Sequence, residues 1–239
     1  MKIISQLIGG SHLYGLSTPD SDVDKRGVFI NTEPEKILGL ERFEVLKKET
    51  EDTLYFELCH YLKGLKKTNT QMIELLFAQE SSFTVLLDEF VYLRKNKYKL
   101  IDSKLFFKSI CGYIENEKRL ATGERTGSLG SKRKKAVETY GFSPKNFCHL
   151  FRLTYCGKTF FETDHYPTNI FLEDPNFGKF LLDVKINPDN YSKDQLTELT
   201  GLYYGQFVQA FNNRKNNHQF DLSFANEVCK KFYIPFLYY

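Results

Sequence analysis

The sequence predicts an α+β protein, with strands near the start and helices through most of the remainder. Three observations predict it. Apolar segments near the N-terminus are brief and broken by Gly, Pro and Asp. From Leu54 onward apolar residues recur at helical spacing. The 239 residues, 41% of them hydrophobic, suit one large domain or two small ones with a sizeable core.

In chain order, Ile3–Ile8 fits a short buried strand or the start of a helix, and periodicity does not separate the two. Gly9-Gly10 breaks the pattern. Ser11–Leu16 suits a short helix ending in the turn 17–21, and Val23–Ile30 and Phe43–Lys48 suit strands. Tyr55, Leu58, Cys59, Leu62 and Leu65 mark a helix that starts at Leu54. Gln71–Ala78, Val85–Lys95, Leu105–Ala121, Pro144–Phe161, Lys193–Asn213 and Phe224–Phe232 follow as helices. Gly123–Lys135 and His165–Asp174 are expected to be irregular. A boundary near residue 80 divides a strand-containing unit, 1–80, from a helical one, 81–239.

Composition narrows the class. No apolar run is long enough to span a bilayer, and no signal-peptide cleavage site follows the short apolar start. Five cysteines, widely spread and without a CxxC pair, read as reduced thiols in a cytoplasmic protein. The net charge of +3 carries no inference about nucleic acid, so charge placement matters more than its sum. The Lys, Asn, Phe and Tyr usage would suit an AT-rich genome such as a bacteriophage's.

The stretch GGSHLYGLSTPDSDVDKRGVFI carries the chemistry. Asp20, Asp22 and Asp24 alternate, so a solvated turn is one reading. An EF-hand is not: its sixth position is Lys25 instead of Gly and its twelfth is Asn31 instead of Glu. On a strand, Asp22 and Asp24 share one face and Val23 enters the core. Two carboxylates on one edge repel unless a cation lies between them, and Mg²⁺ combines few carboxylates with phosphate oxygens. Gly10-Ser11 upstream lets a backbone approach a phosphate closely.

Gly10-Ser11 followed by Asp22-Val23-Asp24 resembles the signature of DNA polymerase β-type nucleotidyltransferases. The longer string Gly10, Ser11, Tyr14, Gly15, Ser21, Asp22, Asp24, Arg26, Gly27, Val28 is similar to the branch of predicted nucleotidyltransferases associated with RNA repair and RNA ligase. The resemblance implies a small mixed-sheet nucleotidyltransferase domain followed by helices that complete the substrate cleft. It implies two Mg²⁺ ions, with Mn²⁺ as a substitute, held by Asp22, Asp24 and a third carboxylate on a later strand. Asp52 is the choice for that third acid, with Glu44, Glu49 and Glu51 as alternatives, and Asp52 also suits the N-cap of the following helix. Gly10 and Ser11, with Tyr14 and Arg26, would contact the nucleotide. In SPKNFCHLFRLTYCGKTFF, Ser143 suits an N-cap and Lys145, His149 and Arg152 form one stripe opposite Phe147, Leu150, Phe151 and Thr154. The family has a similar helix, which implies that Lys145 and Arg152 bind phosphates and His149 a phosphate or base. Lys132, Arg133, Lys134 and Lys135 add a basic cluster that is not a Walker A loop.

The expected reaction is Mg²⁺-dependent transfer of an NMP from an NTP to an acceptor hydroxyl, with pyrophosphate released. The acceptor would be an RNA end, such as a tRNA-like end, or a protein side chain, and no membrane partner is expected. The rival expectation is a non-catalytic protein on the same fold that binds RNA or nucleotide, or neutralises a partner.

Overall fold

A computed structural model of the chain describes residues 1–39, 44–48, 52–125 and 130–237. It is α+β, with a five-stranded sheet near the N-terminus and helices beyond it. Packing divides it into two units: Met1–Phe106 with Asn217–Tyr239, and Phe107–Asn216.

The first unit holds strands β1 (Lys2–Ile8), β2 (Lys25–Ile30), β3 (Val45–Lys48), β4 (Thr53–Glu57) and β5 (Phe83–Leu86), in the order β3-β4-β2-β1-β5. Helices α1 (Gly10–Leu13), α2 (Pro34–Leu38), α3 (Leu58–Lys66), α4 (Thr70–Phe77) and α5 (Asp88–Lys95) accompany them. The unit boundary falls within α6 (Ser103–Ala121). The second unit adds α7 (Ser131–Tyr140), α8 (Pro144–Thr163), α9 (Ile170–Glu173), α10 (Pro175–Ile186) and α11 (Lys193–Asn212). The chain then returns to the first unit with α12 (Leu222–Tyr233), which packs on α3. The return is tied down by the Asp221 N–H, which donates to the Lys99 carbonyl at 2.8 Å, and by His218, stacked on Tyr98.

β2 and β4 run parallel, and the other three pairings are antiparallel. Gly27, in β2, is where the sheet is tightest. A Cβ there would lie 2.2 Å from the Ser5 carbonyl oxygen and 2.6 Å from Tyr55 Cδ1. The Tyr55 ring reaches across this glycine from β4, and its hydroxyl donates to Gln6 Oε1 of β1 at 2.6 Å. One missing side chain thus lets β4 bond to a strand two positions away.

Several elements differ from the sequence expectation. The helix expected from Leu54 begins at Leu58, because Thr53–Glu57 is strand β4. Thr, Leu, Tyr and Phe fit a pleated surface, and parallel pairing with β2 takes up their backbone groups. The N-cap of α3 is Glu57, whose carboxylate accepts the His60 N–H at 3.1 Å, so Asp52 does not cap that helix. Val85 and Leu86 belong to β5, paired with β1, and the helix starts only at Asp88. Val23 is 49% exposed and lies outside the core, because β2 starts at Lys25, after the aspartates. Residues 131–135, expected to be irregular, open α7, and α9 lies inside the expected loop 165–174.

In the second unit α8 packs against α10 and α11. The sequence places α8 well: Pro144 is its first residue and Phe147, Leu150, Phe151 and Thr154 are buried. Ser143 holds the N-cap position, but its hydroxyl donates to Asn146 Oδ1 at 2.6 Å instead of capping the helix. Phe107, Phe161, Phe207 and Phe211 form a ring cluster, with Phe107 and Phe211 stacked at 3.9 Å between centroids. Among the described residues no helix is long and apolar enough to cross a membrane.

Gly27→Ala tests the tight crossing in the sheet. Its Cβ would displace the Tyr55 ring and strain β1, and the expected cost is about 1–3 kcal/mol, read as a lower urea midpoint at unchanged m-value.

Candidate active site

The parallel register of β2 and β4 sets Lys25 beside Thr53. One residue earlier on each strand, that register brings Asp24 to Asp52, and their carboxyl groups share a hydrogen bond. Arg26 brackets the pair. Its guanidinium donates to Asp24 Oδ1 at 3.0 Å and to the carbonyls of Lys25 and Asp52 at 3.1 and 3.0 Å, and it lies 3.5 Å from Asp52 Oδ1. The Asp52 carbonyl also accepts the Lys25 N–H at 3.1 Å. Asp52 itself is held at φ 43°, a region that few residues other than Gly occupy and that Asp tolerates better than most.

The carboxylates differ in environment. Burial raises the Asp24 carboxyl above its usual range, Asp52 adds to the rise, and Arg26 opposes it. Asp52 is more exposed and is held below its usual range, first by its hydrogen bond with Asp24. As pH falls, Asp24 is therefore the first of the pair to take up a proton.

Gly10 closes against the same group. Its φ is 62°, and a Cβ on it would fall 2.0 Å from Asp24 Oδ2. The preceding Gly9 donates its N–H to the Asp24 carbonyl at 2.7 Å, which carries the β1–β2 ladder up to the carboxylate. Gly10 opens α1, which has no side-chain cap, so no N-cap side chain takes the amides of its first turn. Ser11 is half-buried there. Tyr14 is 1% exposed, so its ring is part of the core beneath the turn. Asp22 is exposed, two residues ahead of Asp24. Asp20 lies in the Thr18–Ser21 turn, where Ser21 N–H donates to the Thr18 carbonyl at 2.9 Å.

Of the alternatives to Asp52, Glu44 lies at the far end of β4. Its carbonyl accepts the Glu57 N–H at 2.8 Å, and its carboxylate faces His60 Nδ1 at 3.3 Å and Lys63 Nζ at 3.7 Å. Glu49 and Glu51 lie outside the described residues.

The second unit carries the basic stripe. On α8 Lys145 is exposed and His149 and Arg152 are half-exposed, while the opposite face is buried. His149 Nδ1 lies 3.3 Å from Glu117 Oε2, and Asn146 Nδ2 donates to that oxygen at 2.7 Å. Burial works to raise the Glu117 carboxyl, but His149, Asn146 and Arg133 together hold it below its usual range. Glu117 is absent from the sequence expectations, although a signal exists. Ile110, Ile114, Glu117 and Ala121 follow helical spacing on α6, and all four are buried, so a carboxylate stands on an apolar stripe.

A family model described as RlaP, the RNA repair pathway DNA polymerase beta family, matches residues 1–120. The chain belongs to this family. No curated protein matches the chain. Membership in RlaP supports nucleotidyl transfer as the general class of activity, and the matched span contains Gly10, Ser11, Asp22, Asp24, Arg26 and Asp52.

A divalent metal, which nucleotidyl transfer implies, can be tested against this RlaP chain's own donors. Among the described residues no three His, Cys, Asp or Glu side chains gather into a protein-only metal cage. Mg²⁺ does not need one, since it is held by one or two carboxylates together with phosphate and water oxygens. The touching Asp24–Asp52 pair supplies such hard oxygen donors, and the bare Gly10 Cα leaves room beside Asp24 Oδ2. The donor chemistry fits.

The sign of the Asp24 shift has a stability consequence. Its folded-state pKa lies above its unfolded value, so its contribution is present at acid pH and is lost as pH rises through the folded pKa. At pH 7 the ionised group is a net cost. Asp24→Asn should therefore melt at a higher temperature than the parent at pH 7 in EDTA, and that advantage should shrink toward pH 3. Calorimetry at the two pH values checks both.

Proposed function

We propose that the chain is a metal-dependent nucleotidyltransferase that moves an NMP from an NTP to an acceptor hydroxyl and releases pyrophosphate. One observation carries the reading: two carboxylates in contact, Asp24 and Asp52, set against a Gly10 that opens an uncapped turn. Such a pair is costly in isolation and becomes favourable when a cation is shared.

On this reading Asp22, Asp24 and Asp52 would together hold two Mg²⁺. When bound, the metal neutralises the triphosphate and lowers the pKa of the attacking hydroxyl. Gly10 and Ser11 turn their backbone amides toward the outer phosphates, where a glycine at 10 permits close approach. Arg26 fixes the angle between the two acidic strands and offsets part of their charge before metal arrives. Tyr14 supports the turn from within the core. Lys145, His149 and Arg152 contact phosphates of the substrate. The name of the family favours an RNA end as acceptor over a protein side chain.

The test is transfer of an α-labelled NTP to total RNA or to protein with Mg²⁺. The parent should label one of them, and both Asp22→Asn and Asp24→Asn should reduce labelling by about a thousandfold or more, the scale on which charge-stabilising groups act. Labelling that survives Asp24→Asn in a folded protein would sink the mechanism. Reversible NTP or RNA binding without labelling would favour the non-catalytic reading.

A further inference from the structure

Glu117 has a position that the reaction scheme does not use. Its carboxylate is buried at 8% exposure on the apolar stripe of α6. Burying a carboxylate costs several kcal/mol unless it is paired and hydrogen-bonded. Three side chains answer that cost in sequence. The Ser143 hydroxyl donates to Asn146 Oδ1, which turns the Asn146 amide nitrogen to Glu117, and Glu117 Oε2 faces His149 Nδ1. An apolar residue would satisfy a core position more simply. The network instead ends on a ring that is 37% exposed.

We propose that Glu117 is a positioning residue for His149, fixing the ring through Nδ1 so that the Nε2 edge faces a phosphate ligand. Lys145 stands four residues before His149 and Arg152 three after, so all three side chains share one helix face. Arg133 lies near enough to act on Glu117 electrostatically. The chemical class that suits a face presenting Lys, His and Arg side chains is a phosphate ester or polyphosphate. A carboxylate behind the ring fixes its orientation, as metal-binding histidines are oriented by carboxylates behind them. The inference rests on the phosphate-facing role of α8 and adds the group that sets it.

The probe is inorganic triphosphate, titrated by calorimetry into the full chain, with ¹⁵N spectra of the His149 ring nitrogens recorded alongside. Glu117→Gln should weaken binding by about fivefold, and His149→Asn by a similar factor. The double variant should be no weaker than His149→Asn alone, and Glu117→Gln should change the ring-nitrogen pattern of His149. Glu117→Gln that binds as the parent, or weakens binding equally in the His149→Asn background, overturns the proposal. So does a ring pattern unchanged by Glu117→Gln. Since the readout is binding, failure of NMP transfer with this coupling intact would overturn the enzymatic reading only.

A separate observation carries a second inference. Cys59 of α3 and Cys229 of α12 bring their sulfurs to 3.3 Å, although 170 residues separate them in sequence. Both are half-buried thiols. We infer that they form a redox-sensitive staple between α12 and α3 within the strand-bearing unit. With hydrogen peroxide as oxidant, one thiol takes an oxygen to give a sulfenic acid and water. The second thiol displaces a further water and closes the disulfide, so two thiols and one peroxide give a disulfide and two waters. Peroxide should lower the titratable thiols of the denatured chain from five to three, and dithiothreitol should restore them. Trypsin cleavage within 132–135 should then leave two fragments joined on a non-reducing gel and separated by reductant. Cys229→Ser should abolish the joining. Five thiols after peroxide, or joined fragments in Cys229→Ser, would overturn the staple.

Discussion

The structure of the site depends on one pairing, that of β2 with β4 in parallel. Antiparallel neighbours would set the start of one strand beside the end of the other. Parallel strands start together, so the residues just ahead of each converge. Asp24 and Asp52 are those residues, and the register Lys25 beside Thr53 leaves them no other relation. Arg26 binds both acidic segments at once, at the Asp24 carboxylate and the Asp52 carbonyl. The β1–β2 ladder brings Gly10 to the same point from the other side.

Much of this was legible in the sequence, and particular residues show why. The α+β class followed from the change of period, and α8 from Pro144 and its clean apolar face. The Gly10 to Val28 string was specific enough to indicate the family before any coordinates. Strand β4 was misread because Tyr55, Leu58, Leu62 and Leu65 keep one helical rhythm across a strand-to-helix junction. Only the cap at Glu57 marks the break, and its burial at 1% exposure depends on tertiary packing. Val23 illustrates the opposite error. Alternation with two aspartates suggested a buried valine, but the ladder of β2 begins past it.

The convergence of Asp24 with Asp52 was expected only through resemblance, since nothing local in 24–52 announces a parallel crossover. Glu117 was within reach of a closer reading. A carboxylate at a core position of a helix requires a partner, and the sequence offers His149 and Asn146 on the next amphipathic helix but one. The contact of Cys59 with Cys229 was beyond local reasoning, because it rests on where α12 packs.

The return of α12 to the first unit has a consequence for how the chain is made. The unit that bears Asp22, Asp24 and Asp52 contains both the first hundred residues and the last twenty or so, with the second unit threaded between them. Emerging from a ribosome, the strands and α3 are complete early, but the surface that α12 covers stays bare until α12 itself has been made, long after α3. The second unit has by then had time to fold as a local, helical body. An arrangement of Asp24 and Asp52 formed before α12 arrives is therefore that of a partly folded unit, and the docking of α12 is a late, sequence-distant step in its assembly.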